Sequence, residues 1–590
     1  MCGIVGYIGK NNALPLLIKG LKHLEYRGYD SAGIAYLKDR KIILKKSVGR
    51  ISNLEEKIDL TDESFIGIGH TRWATHGKVT EENSHPHQVG HITLVHNGII
   101  ENYLSLKQEL VEKGYHFKSE TDTEVACAYL DYLFKTNKEM PFEKILEKAK
   151  NIFMGSFAFV IMVKGIYHQL FVLKRESPLV IGIGTDEFFV ASDFSAYLED
   201  TREYLILEDN DIGIIEKNDI HLYRDGKEIP YVTKVLNESV CSISLDHDEH
   251  YMLKEIKEQS MLISKWNQSY FGEDKPLVDI TKYKRIDIVA CGTAYHAGLI
   301  FKYLMEKNTD VEINVEVASE YRYKKVRLNS QCLVIAISQS GETADTLSCI
   351  KLAKANHAKT LGIINVYNSS IARICDAVIY TNAGIEVSVA STKAYTSQVY
   401  VLGLLAQEFK FGKIDKFTYY DLPGKIDKLI EKDYYKLIQQ IYKKKDAFFL
   451  GRRIDYISML EGSLKLKEIT YIHSEAFPAG ELKHGPISLI EEGTPVIALI
   501  TDKDTALKTL SNIKEVKARG AYVILIIKEG IISFLDETIY DEVIYLPSSD
   551  DYTMPIISII PLQLIAYYTA KLKGLDIDKP RNLAKSVTVE

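Results

Sequence analysis

The sequence predicts an α+β domain built as αββα layers, followed by two α/β domains that each rest on a parallel sheet. Three observations carry this. The first 240 residues hold many short β-like runs, punctuated by Gly, Asp and Asn, with helical patterns between them. From about Tyr283 the pattern changes to continuous apolar strands alternating with helices, as a parallel sheet covered on both faces requires. A second round of that alternation begins at Asp446, which points to an internal duplication.

In the first domain, placed at 2–220, strands are expected at Ile4–Ile8, Gly33–Tyr36, Ile66–His70, Ile92–His96, Phe157–Val163, Gln169–Lys174 and Phe188–Ser192. Helices are expected at Asn12–His23, Tyr103–Lys113, Asp122–Lys135 and Phe142–Ile152. Strand runs with segregated helices define the layered class. A linker region is expected at 221–250, ending in the polar stretch Cys241 to His250 and leading into a helix at Tyr251–Gln268. The first α/β domain, at 278–417, reads as strand Arg285–Cys291, helix Thr293–Glu306, strand Cys332–Ser338, helix Gly341–His357, strand Lys359–Val366 and helix Ser391–Phe409. The second, at 440–574, reads as strand Ala447–Gly451, helix Ser458–Tyr471, strand Pro495–Thr501, helix Thr505–Arg519, strands Tyr522–Ile527 and Glu542–Leu546, and helix Pro555–Lys573. Residues 575–590 form a polar tail without periodicity.

A chain of 590 residues with 46% hydrophobic residues has material for several cores. Its net charge of -7 argues against a nucleic acid or an anionic membrane as partner. The seven cysteines are odd in number and form no CxxC pair, so a disulfide framework or zinc site is not expected and a reducing cytoplasm is. No basic segment precedes an apolar one at the start, so no signal peptide is expected. The apolar stretch Met554 to Tyr568 contains Pro555, Pro561 and Gln563 and falls short of the roughly 18 residues of a membrane span; it reads as a buried helix.

Several residues carry chemistry. Cys2 follows the initiator methionine, whose removal is expected before a small side chain. The residue would then hold a thiol of pKa about 8.5 beside its own α-amino group of pKa about 8, a nucleophile with an attached base. Arg72, in the run His70 to Gly77, suits a substrate carboxylate. Asn97 and Gly98 end an apolar strand and offer a side-chain amide beside a backbone N–H, two donors for an oxyanion. Ser119 to Asp122 reads either as a capping box or as a site where Asp122 takes a substrate ammonium. Six histidines from His70 to His96 invite a metal, but their irregular spacing and few nearby carboxylates argue against one. Ser338 to Asp345 follows a parallel strand and opens a helix; its hydroxyls and free N–H groups suit a phosphate better than an ordinary Ser cap, and it is neither a Walker loop nor a dinucleotide fingerprint. Glu461, Lys465 and Glu468 share one helix face. A surface ladder is the plain alternative, yet Leu464, Leu466 and Ile469 among them demand burial. His484 sits in the glycine-bounded turn Gly480 to Pro486.

Cys2, the run Tyr26 to Gly33, His70 to Gly77, Asn97-Gly98 and Asp122 together resemble the class II glutamine amidotransferase domain, an N-terminal nucleophile fold, over roughly the first 220 residues. The resemblance implies that Cys2 attacks the glutamine γ-amide while its own amine handles the proton. It implies that Asn97 and Gly98 form the oxyanion hole and that Arg72, Trp73, Thr75, His76 and Asp122 line the glutamine site, Trp73 also gating the path of ammonia.

The runs SQSGETAD (338–345), VASTKA (389–394), KLKEI (465–469), ELKHGP (481–486) and PRNLAKSVTVE (580–590) resemble the SIS (sugar isomerase) domain, twice over. In this order they resemble the glutamine:fructose-6-phosphate amidotransferase family along essentially the whole chain. The resemblance implies a sugar-phosphate site of Thr293, Ser338, Gln339, Ser340, Thr343, Val389, Ser391 and Ala584. It implies that Lys585 forms a Schiff base with C2 of fructose 6-phosphate, that His484 from the neighbouring subunit opens the ring, and that Glu468 moves a proton between C1 and C2, supported by Glu461 and Lys465. Further implications are a homodimer with a shared sugar site, a cytoplasmic location, no cofactor and no metal, and the first committed step of amino-sugar (UDP-N-acetylglucosamine) synthesis. One departure is Ala294, where the family commonly has Ser; Thr293 and the 338–343 loop are then expected to hold the phosphate. The alternatives are an amidotransferase for another keto-sugar phosphate and a sugar-phosphate sensor.

Overall fold

A computed structural model describes residues 2–73, 77–235, 245, 247–271, 278–307, 309–533 and 535–587. The chain forms two units, divided near residue 240.

Two antiparallel sheets stack in the first unit. One runs Lys234–Val235, Glu203–Ile206, Val180–Gly184, Glu187–Ala191, Gly3–Gly9, Ile66–Arg72, Ser31–Lys38 and Lys41–Val48; the other runs Lys227–Ile229, Ile220–Arg224, Ile212–Glu216, Ile166–Arg175, Gly155–Val163, Ile92–Ile100 and His87–Val89. Strand Gly3–Gly9 shows why the layers form. Its side chains alternate faces. Ile4 and Ile8 join Val160 and Val172 of the facing sheet, while Val5 and Tyr7 pack on Leu17 and Leu21 of helix Ala13–Leu24. In the second sheet Phe157, Phe159 and Ile161 turn outward onto helices Asp122–Thr136 and Phe142–Ile152. Each such Ile or Leu, fully buried, contributes about 2 kcal/mol. The αββα layering is as the sequence predicts. The expected domain end at 220 is too early: strands Ile220–Arg224, Lys227–Ile229 and Lys234–Val235 belong to these sheets, so residues 221–235 are part of the domain. Of the polar stretch 241–250, only Leu245 and residues 247–250 are among those described.

Helix Tyr251–Phe271 opens the second unit and leads into two parallel five-stranded sheets. The first sheet orders its strands Glu312–Val317, Arg285–Ala290, Cys332–Ser338, Lys359–Ile364, Ala377–Tyr380; the second orders His473–Pro478, Asp446–Gly451, Pro495–Ile500, Tyr522–Lys528, Glu542–Leu546. In both, the second strand lies outside the first and the remaining three follow on its other side, so the duplication is visible in the topology. Both faces of each sheet are covered: Leu333, Ile335 and Ile337 enter one core while Val334 and Ala336 enter another. The first of these cores is continuous through both halves and includes Ile497, Leu499 and helix Met554–Leu572. That helix is long and apolar enough to cross a membrane, but 83% of its window is buried inside the protein. It packs on helix Ile454–Thr470, which in turn packs on helix Thr293–Glu306 of the first half.

The duplication reaches backbone detail. Gly292, before helix Thr293–Glu306, has φ 54° and ψ −127°; Arg453, at the matching place before helix Ile454–Thr470, has φ 55° and ψ −123°. Glycine adopts this conformation without strain and arginine does not.

Candidate active sites

The antiparallel register pairs Gly3 with Thr71, which carries Cys2 to the level of Arg72 and next to Trp73. The Cys2 sulfur is half-buried and accepts the Trp73 N–H at 3.3 Å. Burial pushes its thiol pKa up, while the Trp73 N–H and the Arg72 guanidinium pull it down. The Asn97 side-chain amide donates to the Cys2 carbonyl at 3.0 Å and its oxygen meets His70 Nε2 at 3.0 Å. Gly98 lies beside it in a strand but has φ 122°, and a Cβ there would stand 2.1 Å from the Ser156 carbonyl oxygen. Only glycine fits.

Arg72 is buried and donates to the Lys78 carbonyl at 3.3 Å. Asp122 is buried at the start of its helix and accepts the Ile100 N–H at 2.8 Å. The helix cap is Thr121, whose hydroxyl accepts the Glu124 N–H, while the Glu124 carboxylate reaches back to the N–H groups of Lys118 and Ser119. The cap therefore lies at Thr121, two residues later than Ser119, and it is half a capping box: the Thr121 N–H goes to Ser119 Oγ rather than to Glu124. Cys2, Arg72, Trp73, Asn97, Gly98 and Asp122 are all positioned by strands Gly3–Gly9, Ile66–Arg72 and Ile92–Ile100 or by the elements joined to them. Thr75 and His76 lie outside the described residues. Of the histidines, His70 and His85 stack at 4.0 Å, and burial drives His70 down to about 3. Burial likewise holds His85, His87 and His96 below the usual imidazole range. Among the described residues no group of three or more His, Cys, Asp or Glu could hold a metal ion.

In the second unit the loop after strand Cys332–Ser338 is preorganised by its own hydroxyls. Ser338 Oγ accepts the Gly341 N–H at 3.0 Å and lies 3.0 Å from Thr343 Oγ1. The helix that follows, Ala344–Ala355, receives no side-chain cap from Thr343. Gln339 and Ser340 lie in the same loop. Thr293 is engaged elsewhere: its hydroxyl donates to Glu461 at 3.0 Å and accepts from Lys465 at 3.1 Å.

Glu461 and Lys465 are fully buried, so a surface salt-bridge ladder is excluded. Lys465 Nζ is 3.4 Å from Glu461 and 2.7 Å from Glu468. Burial opposes its charge, but the two carboxylates outweigh it and raise its pKa. His296 Nδ1 joins Glu461 at 2.7 Å; the sequence reading did not single it out, although it lies one turn after Thr293 and on the same face. In the second half buried Asp455 ties the end of strand Pro495–Ile500. It accepts the Thr501 N–H at 2.8 Å and pairs with the Thr501 hydroxyl, and burial pushes it up to about 7.

The C-terminal tail is pinned. Asp578 accepts the first N–H groups of helix Tyr251–Phe271 at 2.9 and 2.8 Å, and its carbonyl accepts from Val389 at 2.9 Å. The Lys585 side chain, 4% exposed, donates to the Ser388 carbonyl at 2.7 Å and to the Glu386 carboxylate. Ser391 donates to that same carboxylate at 2.9 Å. Glu386 and its neighbour Glu255 were not legible as site residues. Val389 and Ala584 adjoin this corner in sequence. His484 lies on an exposed loop after the short turn Glu481–Lys483, and its side chain makes no hydrogen bond among the described residues.

The glutamine amidotransferase domain model matches residues 70–199, and the SIS domain model matches residues 279–407 and 440–572. Fold and sites thus define a glutamine amidotransferase joined to a tandem of SIS domains. Over its full length the chain is 46% identical to the glutamine--fructose-6-phosphate aminotransferase (isomerizing) of Caldanaerobacter subterraneus subsp. tengcongensis and 47% identical to that of Clostridium tetani, with 100% of each chain covered. Among solved structures, the C-terminal domain of glucosamine-fructose-6-phosphate aminotransferase from Francisella tularensis matches with a TM-score of 0.53 and 37% identity, over 57% of this chain and 100% of that one. The chain belongs to the glutamine--fructose-6-phosphate aminotransferase (isomerizing) family.

Proposed function

We propose that the chain makes glucosamine 6-phosphate and glutamate from fructose 6-phosphate and glutamine, and so opens amino-sugar synthesis in the cytoplasm. The observation that carries this is a lysine near the end of an irregular tail buried against a carboxylate and a carbonyl, since lysine is almost never buried unless it is paired or used.

Glutamine is held by Arg72 and Asp122, with Trp73, Thr75 and His76 around it. Once Met1 is removed, the Cys2 amine takes the thiol proton and the thiolate attacks the γ-amide. Asn97 and the Gly98 N–H stabilise the oxyanion, and water releases glutamate from the thioester. The ammonia stays inside the protein, because in neutral water it is mostly protonated and no longer a nucleophile. Fructose 6-phosphate is held by Ser338, Gln339, Ser340 and Thr343 at the helix end, with Val389, Ser391 and Ala584 along the sugar. Thr293 orders Glu461 and Lys465 rather than meeting the phosphate directly. His484, supplied by the neighbouring subunit of a homodimer, opens the ring; its exposure supports this. Lys585 forms a Schiff base at C2, ammonia displaces it, and Glu468 carries a proton between C1 and C2 while Lys465 and Glu461 set its charge.

The test is glucosamine 6-phosphate formation from glutamine and fructose 6-phosphate by the purified full chain. Lys585→Ala is expected to form none while slow glutamine hydrolysis persists. Wild-type synthesis by that variant would refute the reading.

A further inference from the structure

A Schiff base needs a neutral amine, yet lysine is protonated at neutral pH, with a pKa of about 10.4. The base that frees Lys585 has to be in contact with Nζ. Among the described residues two groups hydrogen-bond that atom, the Ser388 carbonyl, which cannot take a proton, and the Glu386 carboxylate. Glu386 is fully desolvated and fixed by four donors. One oxygen accepts the N–H groups of Thr392 and Ala394 at 2.9 and 3.0 Å, at the start of helix Lys393–Phe411; the other accepts Ser391 Oγ at 2.9 Å and Lys585. Helix Lys393–Phe411 has no side-chain cap of its own from Thr392, so Glu386 occupies that end.

We propose that Glu386 is the acid–base partner of Lys585 in Schiff-base formation. This rests on Lys585 being the Schiff-base lysine. Glu386 accepts a proton from the Lys585 ammonium, and the free amine adds to the C2 carbonyl with formation of the C–N bond. The carbonyl oxygen takes up the proton that the attacking nitrogen gives up as the neutral carbinolamine forms. Glu386 then returns its proton to the departing hydroxyl, which leaves as water as the C–O bond breaks. The products are a protonated imine on Lys585, one water and a regenerated Glu386 carboxylate, so protons and charge balance without a further reactant.

A second carboxyl supports the proton loan. Glu255, buried on helix Tyr251–Phe271, accepts the Val387 and Ser388 N–H groups, the latter at 3.3 Å, so it grips the two residues after Glu386. Burial and the Glu386 charge push Glu255 up to about 8. Burial also pushes Glu386 up, but Lys585 and the N–H donors outweigh it and hold it below the usual carboxylate range. The charged groups around Glu386 are Lys585, Glu255, Lys393 with its partner Glu258, and Lys465. When Lys585 passes its proton on, Glu386 loses the ion pair that holds it low, and its basicity rises as the transfer proceeds.

The experiment is borohydride trapping of the full-length enzyme with fructose 6-phosphate, with the rate of adduct formation at the Lys585 peptide read by mass spectrometry. The wild type is expected to form the reduced adduct. Glu386→Gln, which keeps a hydrogen-bond acceptor for Nζ but no base, is expected to slow trapping about 100-fold and to recover rate as pH rises toward the pKa of the free amine. Glu386→Asp keeps a base and is expected to retain more activity than the glutamine variant; it also carries the comparison if circular dichroism shows Glu386→Gln to be misfolded. Trapping by Glu386→Gln within a few-fold of wild type overturns the role of Glu386 and leaves Lys585 intact. Trapping by Glu386→Asp as slow as in a folded Glu386→Gln, with the same pH dependence, also overturns it. Absence of a wild-type adduct at Lys585 overturns both this inference and the Schiff-base reading beneath it.

Discussion

Lys465→Met removes one charge from the buried group on helix Ile454–Thr470 and keeps its length and packing. Lys465 is buried between Glu461 and Glu468 at 3.4 and 2.7 Å. Removing one partner of a buried pair costs 3–5 kcal/mol, because the other charge is left without compensation. Two features place this case at the lower end. Glu461 keeps the Thr293 hydroxyl and His296 as donors, and Glu468 is partly open to water. The expected loss is therefore about 3 kcal/mol. The chain has two tryptophans, Trp73 in the first unit and Trp266, 1% exposed, in the second. In a Trp73→Phe background, urea unfolding followed by Trp266 fluorescence reads the second unit alone. With a slope of about 3 kcal/mol per molar, the midpoint falls by about 1 M. Adding Glu461→Gln is expected to recover about 1 kcal/mol, since the more buried of the two orphaned carboxylate charges is then gone. A midpoint shift below about 0.3 M for the single variant would show that water reaches this group and would refute the reasoning.

Other expectations are simpler. Cys2→Ala abolishes glutamine-dependent synthesis and keeps synthesis from added ammonia; loss of both in a folded protein contradicts two separable sites. Gly98→Ala, which drives a Cβ onto the Ser156 carbonyl, lowers glutamine hydrolysis about 100-fold by shifting the oxyanion donors, read as kcat without sugar. The first unit loses stability in acid: burial lowers His70 from 6.5 to about 3, so the unfolded chain takes up a proton that the folded one refuses. For His70 alone the loss starts near pH 6.5, grows until about pH 3 and reaches about 5 kcal/mol. Trp73 fluorescence in a Trp266→Phe background measures it, and His70→Gln flattens the slope.

Central strands were legible because both faces are apolar, as in Cys332–Ser338, where the expected and observed bounds coincide. Edge strands such as Lys41–Val48, Glu312–Val317 and His473–Pro478 carry charged residues within the run and were not expected. The hairpin Ile220–Arg224 to Lys227–Ile229 did carry a signal: its turn is Asp225-Gly226, both with positive φ, the residue pair that two-residue hairpins favour. The reading of 221–250 as linker passed over it. Among site residues, Cys2, Arg72, Asn97 and Lys465 stand in recognisable runs. Glu386 and His296 do not, because their meaning comes from partners 199 and 165 residues away, which only the fold brings near.

The matched backbone at Gly292 and Arg453 has a consequence for how this half of the protein can be inherited. In the first copy Ser338 ties the loop that follows its strand through the Gly341 N–H; in the second, buried Asp455 ties the end of the matching strand at Thr501, and the strained turn is kept at Arg453. The second copy contributes Glu461, Lys465 and Glu468 through a helix that lies against Thr293 and His296 of the first. Neither copy is a module that could be shuffled, swapped or expressed for its chemistry alone. Selection acts on the pair, and a recombination point between residues 407 and 440 would separate two halves of one site.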